Sequence, residues 1–317
     1  MNTFPSAFLT VPLLCGQAAL AAPGDRLAET VTDGVRDCPS GWIEEMPLIA
    51  WGADGVVAYA NGASLENDGG MLGDASLPLS LTVEDSFEAQ LKAYLACETP
   101  YLRGTLGMLA SATPVTEFDA RTEQIVFFKH SFSAGDGIVA GEGIARIPDL
   151  KGKRIAIQAN GPHVDFVGRI LADGGLSFED VEIVWVADLT GDGDTPAAAM
   201  ADGRADAAAV ILPDARFLTS GGTVGTGAEG SVKGATILIS TQEAASVIGD
   251  YIAVRADYFD AHRDDIARMA ALAGRLAADA KETGRARRAY LLASDQWAAL
   301  GRSDETRFVD DALAALP

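Results

Sequence analysis

The chain has 317 residues, 48% hydrophobic and 22% charged, which is enough apolar side chain for two lobes of ordinary domain size and excludes a disordered chain. Its 45 acidic residues outweigh 24 basic ones for a formal net charge of −21, which argues against nucleic acid and anionic membrane surfaces as partners. Three histidines and three cysteines leave little for zinc or acid–base chemistry, and no cofactor or metal site is expected.

Residues 8–14 form an apolar core, and Ala19-Leu20-Ala21 or Leu20-Ala21-Ala22 offers small residues for cleavage, so residues 1–22 read as an export signal peptide. No lysine or arginine precedes Arg26, so a buried N-terminal helix is the alternative. Cys15 raises the question of lipid attachment, but Leu14 stands before it where a small residue is wanted, which disfavours an anchored lipoprotein. The expected location is the periplasm. Cleavage would leave Cys38 and Cys97, which an oxidising compartment would bridge, two buried free thiols being the alternative. No other stretch is long and apolar enough to span a membrane.

Past an irregular extension over 24–41, residues 46–51 read as a buried strand and 53–61 as a short helix closed by Asn61-Gly62. A glycine-rich loop over 69–78 leads to a strand at 79–83. Asp85 or Ser86 then caps a helix over 87–97 with Phe87, Leu91, Tyr94 and Leu95 on one face. Residues 101–105 read as a loop. A long apolar strand at 124–130 loosens through 131–137. Strands at 154–158, 181–186, 207–212 and 236–240 alternate with helices at 163–174 and 196–203, the pattern of a largely parallel sheet between helices. A returning segment at 253–255 and an alanine-rich helical tail from 264 to 316 complete the chain. This order predicts two α/β lobes joined by two crossings: a first lobe from 23–141 and 252–317, a second from 142–251.

The turn Asn160-Gly161-Pro162-His163 joins a strand directly to an amphipathic helix. The first turn of a helix carries N–H groups without intrahelical partners and partial positive charge, Gly161 would admit a ligand to the backbone, and Pro162 suits a helix start. A routine strand-to-helix turn is the plainer alternative.

Asp149-Leu150-Lys151-Gly152-Lys153-Arg154-Ile155-Ala156, and the run from Ala197 through Met200, Gly203 and Asp206 to Ala207 before Pro213, together resemble the periplasmic substrate-binding proteins of ABC importers, in the branch for nitrate, sulfonates such as taurine, and thiamine-precursor pyrimidines. The likeness extends loosely from about Met46 to His262. It implies an α/β, two-lobe periplasmic-binding-protein (Venus-flytrap) fold, type II-like, with two hinge crossings. It also implies a small-molecule ligand in the cleft and ABC permease subunits as partners, the chain itself being a monomer. The segments around Trp51 and Arg103 reproduce no nitrate-type or sulfonate-type pocket, so the ligand class does not transfer.

In such a fold the cleft lies at the carboxyl ends of the strands. That places Trp51, Asp54, Arg103, Thr105, Ser131 and Ser133 on one side, and Asn160, Gly161, His163, Asp192 and Asp214 on the other. Trp51 would stack on a planar or cationic group, or close its strand as core. Arg103 would clasp a carboxylate or sulfonate, or form a surface salt bridge. His163 would donate to a ligand or be structurally satisfied. Asp54, Asp192, Asp194 and Asp214 would bias the pocket toward a cation or an amine, or simply be solvated. The 188–194 loop lacks the alternating acids and closing glutamate of a calcium loop.

The leading function is an extracytoplasmic protein that captures a small polar organic solute and hands it to a permease, with a zwitterion or amine favoured over a simple anion. An exported hydrolase is the alternative, but no nucleophile elbow, His-Glu-x-x-His or phosphate-binding lysine loop occurs. A ligand-presenting lobe for a sensor kinase is a third.

Overall fold

The computed structural model describes residues 23–31, 34–36, 38, 45–50, 54–66, 69–77, 79–191, 193–228, 230–244, 247–279, 281 and 283–317. The export signal expected over 1–22, Cys15 included, lies outside them.

The first lobe begins with α1 (Pro23–Thr30), β1 (Glu45–Leu48), α2 (Gly55–Ala60), α3 (Gly70–Asp74) and β2 (Ser80–Val83). It continues with α4 (Phe87–Leu95), β3 (Tyr101–Thr105), α5 (Leu106–Thr116) and β4 (Gln124–Phe132). The Ser86 side chain caps α4 by accepting from the Ala89 N–H at 3.2 Å, and this sets the Phe87, Leu91, Tyr94 and Leu95 stripe against Leu102 and Leu109. β1 and β2 pair in parallel. Residues 101–105, read from sequence as a loop, are instead a wholly buried strand. A charged Arg103 and a Gly104 in five residues mask the strand pattern, and the arginine is tolerated because carboxylates neutralise it.

The second sheet holds β5 (Asp136–Ala140), β6 (Arg154–Gln158), β7 (Glu182–Val186), β8 (Ala207–Ile211) and β9 (Thr236–Ser240) in the order β7-β6-β8-β5-β9. Pairings β6–β7 and β6–β8 are parallel, whereas β5 runs antiparallel to both its neighbours. The sheet is thus largely parallel with one reversed strand. Around it pack α6 (His163–Asp173), α7 (Pro196–Ala201) and α8 (Leu212–Leu218). On one face Phe166, Val167, Ile170 and Leu171 of α6 bury against Ile155 and Ile157. Ala199 and Met200 of α7 cover the other face with Ala215 and Leu218 of α8.

The chain then returns through β10 (Gly249–Arg255), which lies between β3 and β4 and pairs antiparallel with both. Sheet membership moves the crossings relative to the sequence expectation. β5 belongs to the second sheet, so the outward crossing falls at residues 133–135 rather than after 141, and the return is complete by Gly249 rather than 252. The segment 131–137 looked irregular because one strand ends and another begins there, at a break. The crossings are bonded to each other, the Ser133 N–H donating to the Ile248 carbonyl at 2.9 Å.

α9 (Ala256–Ala261), α10 (Arg263–Asp279), α11 (Thr283–Ala299) and α12 (Ser303–Ala314) follow. Ile266 and Leu272 of α10 enter the first lobe's core beside Tyr101 and Val254, while α11 packs on α10 through Ala286, Tyr290 and Ala293, and α12 packs on α11. A disulfide joins Cys38 to Cys97, with a Cα–Cα distance of 5.2 Å, and ties the N-terminal extension to the end of α4. No helix among the described residues is long and apolar enough to cross a membrane.

Candidate functional site

Between the lobes lies a cleft of about 660 Å³. Its walls are the carboxyl ends of strands from both sides: Ile49 and Ala50 after β1, Glu84–Glu88 after β2, Gln158–Pro162 after β6, Ala187–Thr190 after β7, and Ile211 ending β8. The crossings close the back with Ser133, Asp136, Ile248 and Asp250, and Met108 adds an apolar contact. Parallel strands leave this groove wherever their connections diverge to opposite sides.

Of the residues selected from sequence, Ser133, Asn160 and Gly161 line this cleft. Asn160 sits in the left-handed region at φ 56°, a conformation its short polar side chain tolerates. Its Oδ1 is buried without a hydrogen-bond partner among the described residues. A Cβ on Gly161 would lie 2.3 Å from Oε1 of Gln158, so the glycine makes room for a neighbouring side chain rather than for a ligand alone.

Asp54 and Arg103 stand behind the wall. Arg103 is 1% exposed and donates from Nε at 3.0 Å and Nη2 at 2.8 Å to the Asp54 carboxylate, while Nη1 lies 2.9 Å from Asp250. Its fork is therefore engaged by two carboxylates, which corrects the expectation that it would clasp a ligand anion. Asp54 also accepts from the Ile49 N–H at 2.8 Å and so fixes the strand end that lines the cleft.

His163 is fully buried, with Nε2 2.8 Å from Asp136, which in turn accepts from the Ser133 hydroxyl. Only Asp136 and Ser133 of this trio reach the cleft, so His163 orients a carboxylate of the wall instead of lining it. The order also fails as a hydrolytic relay. The carboxylate sits between hydroxyl and imidazole, and His163 has no contact through which to take the Ser133 proton. Asp214 is not in the wall, and burial raises its carboxyl above the ordinary range against the opposing influence of His163. Thr105 caps α5, accepting from the Met108 N–H at 3.2 Å. Trp51 and Asp192 lie outside the described residues, as does the side chain of Ser131, whose backbone pairs with Asp250.

Sequence reasoning missed the wall from Glu84 to Glu88, together with Asp136, Asp188 and Asp250. The rule that ligands sit beyond strand ends would have found the first group had it been applied to the strand at 79–83, where Asp85 was read only as a helix cap. The two motifs that carried the family resemblance prove structural. Arg154 donates to Asp206 from Nε at 3.2 Å and Nη2 at 2.8 Å, and this hydrogen bonding, the largest influence, holds the Asp206 carboxyl below the ordinary range.

The lobes also touch beside the cleft. Asp165 of α6 accepts from the Gly107 N–H at 2.9 Å and the Thr105 hydroxyl at 3.3 Å, both at the start of α5. Burial raises the Asp165 carboxyl above its ordinary range, and these two hydrogen bonds oppose the rise.

Comparison with known proteins agrees with this architecture. The model of the family described as NMT1/THI5 like matches residues 128–280. Among solved structures, the chain is similar to the periplasmic aliphatic sulphonate binding protein SsuA from Escherichia coli, at 17% identity and a TM-score of 0.50, over 86% of this chain and 78% of that one. It is also similar to the ligand binding component of an ABC-type import system from Staphylococcus aureus, solved with zinc bound, at 7% identity and a TM-score of 0.53, over 78% of each chain. No curated protein matches. The fold is thus the two-lobe one of periplasmic binding proteins.

Proposed function

We propose that this chain, NMT1/THI5-like over residues 128–280, is an extracytoplasmic solute-binding protein that captures a small polar organic solute between its lobes and delivers it to an ABC permease. The observation that carries the reading is the cleft itself. It takes lining from both lobes, at strand ends, and its back wall is the pair of crossings about which the lobes can rotate. Its volume of about 660 Å³ falls in the range of small-ligand sites. A Ser133–Asp136–His163 arrangement without a nucleophile–base contact favours binding over hydrolysis. The periplasm as location, supported by the Cys38–Cys97 bridge of an oxidising compartment, and a monomeric state belong to the same proposal.

Native mass spectrometry of the protein purified gently from its own cells tests this. The expected result is one small molecule per chain, released unchanged on denaturation, whose re-addition compacts the protein in small-angle scattering. Conversion of that molecule to a product of different mass would make the chain an enzyme and overturn the reading.

A further inference from the structure

The charge on the cleft wall narrows the solute class. We infer that the cleft takes an organic cation bearing protonated amine or amidine groups, and not a sulfonate or other simple anion; this rests on the solute-binding function proposed above. The charged side chains lining the described cleft are Glu84, Asp85, Glu88, Asp136, Asp188 and Asp250, and no lysine, arginine or histidine is among them. They come from both lobes, so closure brings like charges together around whatever fills the space.

Bound countercharge does not cancel this wall. Glu88 pairs with Lys92 at 2.7 Å and Asp136 with His163. Arg103 pairs with both Asp54 and Asp250, the latter in the cleft wall. Glu84, Asp85 and Asp188 form no ion pair among the described residues.

An independent observation concerns hydrogen-bond donors. An anion in such a fold would be held by N–H groups at strand ends and helix starts. On the first lobe three of these are occupied by acidic side chains: Ile49 N–H donates to Asp54 at 2.8 Å, Ala50 N–H to Asp85 at 2.6 Å, and Ser86 N–H to Glu84 at 2.9 Å. On the second lobe the Gly161 N–H turns back to the Gln158 carbonyl, and Pro162 has none to offer. The wall instead presents the carboxylate acceptors of Glu84, Asp85, Asp188 and Asp250, and acceptors recognise N–H donors. Among the described residues no three metal-ligating side chains gather at one point. Phe87 and Met108 supply apolar contact for its carbon frame.

Calorimetric titration of the refolded, ligand-free protein with five probes tests the assignment: n-butylamine, 1,4-diaminobutane, agmatine, taurine and butanesulfonate. At least one amine is expected to bind about tenfold or more tightly than either sulfonate, with affinity falling as salt rises. Glu84→Gln combined with Asp188→Asn, at residues outside any ion pair, is expected to weaken that binding severalfold with an unchanged melting temperature. Tighter binding of a sulfonate than of every amine, or an amine affinity untouched by the double variant, overturns the cation assignment and leaves the solute-binding function standing. No binding by any probe, with the native protein also empty by mass spectrometry, overturns both.

Discussion

Oδ2 of Asp165, on the second lobe, lies 2.9 Å from the backbone nitrogen of Gly107 on the first, so a carboxylate of one lobe receives the helix start of the other. The contact exists only while the lobes are together, which makes it a handle on closure independent of the solute.

A Cβ at Gly107 would fall 1.7 Å from Oδ1 of Asp165. Gly107→Ala is therefore expected to displace the Asp165 carboxylate, remove this interlobe contact and weaken closure and solute binding without unfolding either lobe. Scattering or a distance label across the cleft, read beside calorimetry, checks this; unchanged closure would show that the contact yields cheaply.

The same carboxyl gives closure a pH dependence of defined sign. Its value is raised, by burial above all, in the closed arrangement. The closed form thus binds a proton more tightly than an opened form in which Asp165 is solvated. Acidification should favour closure, with the gain appearing as pH falls through the raised value and complete below the ordinary value of 3.8. Asp165→Asn should remove this dependence, as measured by the same distance label between pH 7 and 4.

Arg103 is placed to stabilise, and only indirectly to bind. Arg103→Ala leaves Asp54 and Asp250 buried without their shared cation, and loss of one partner from such a group costs about 3–5 kcal/mol. Urea unfolding is expected to show that loss. A variant of full stability whose only defect is solute affinity would return Arg103 to a direct ligand role.

The Cys38–Cys97 bridge spans a sequence separation of 59. In the chain-entropy account a loop of that size contributes about 4 kcal/mol by restricting the unfolded chain. Reduction, or Cys38→Ser with Cys97→Ser, is expected to lower the urea midpoint accordingly. An unchanged midpoint would mean that the N-terminal extension is anchored by its other contacts.

The alternating order of elements and the strand ends were legible in the sequence because periodicity and turn residues are local. Asn160, Gly161 and Ser133 were found on that basis. What escaped was pairing. Nothing near Arg103 announces that Asp54, 49 residues away, will close its fork, and nothing at His163 announces Asp136. Side chains chosen at the right strand ends therefore turned inward, satisfied by partners distant in the chain. β5 escaped for the same reason, because its five residues acquire strand character from β8 and β9 far downstream. The acidic wall after β2 was visible as sequence, but its meaning depends on Asp188 and Asp250 arriving opposite it.

β10 occupies the middle of the β3-β10-β4 sheet. During synthesis, β3 and β4 emerge first and then wait for the strand that pairs with both, while the whole of the second sheet passes through. The first half of the molecule to appear is thus the last able to mature, and its unpaired edges are exposed throughout that interval. A chain interrupted before Gly249 would carry a finished second sheet beside an open, adhesive one, so the vulnerable species in this protein's biogenesis is nearly complete rather than nascent.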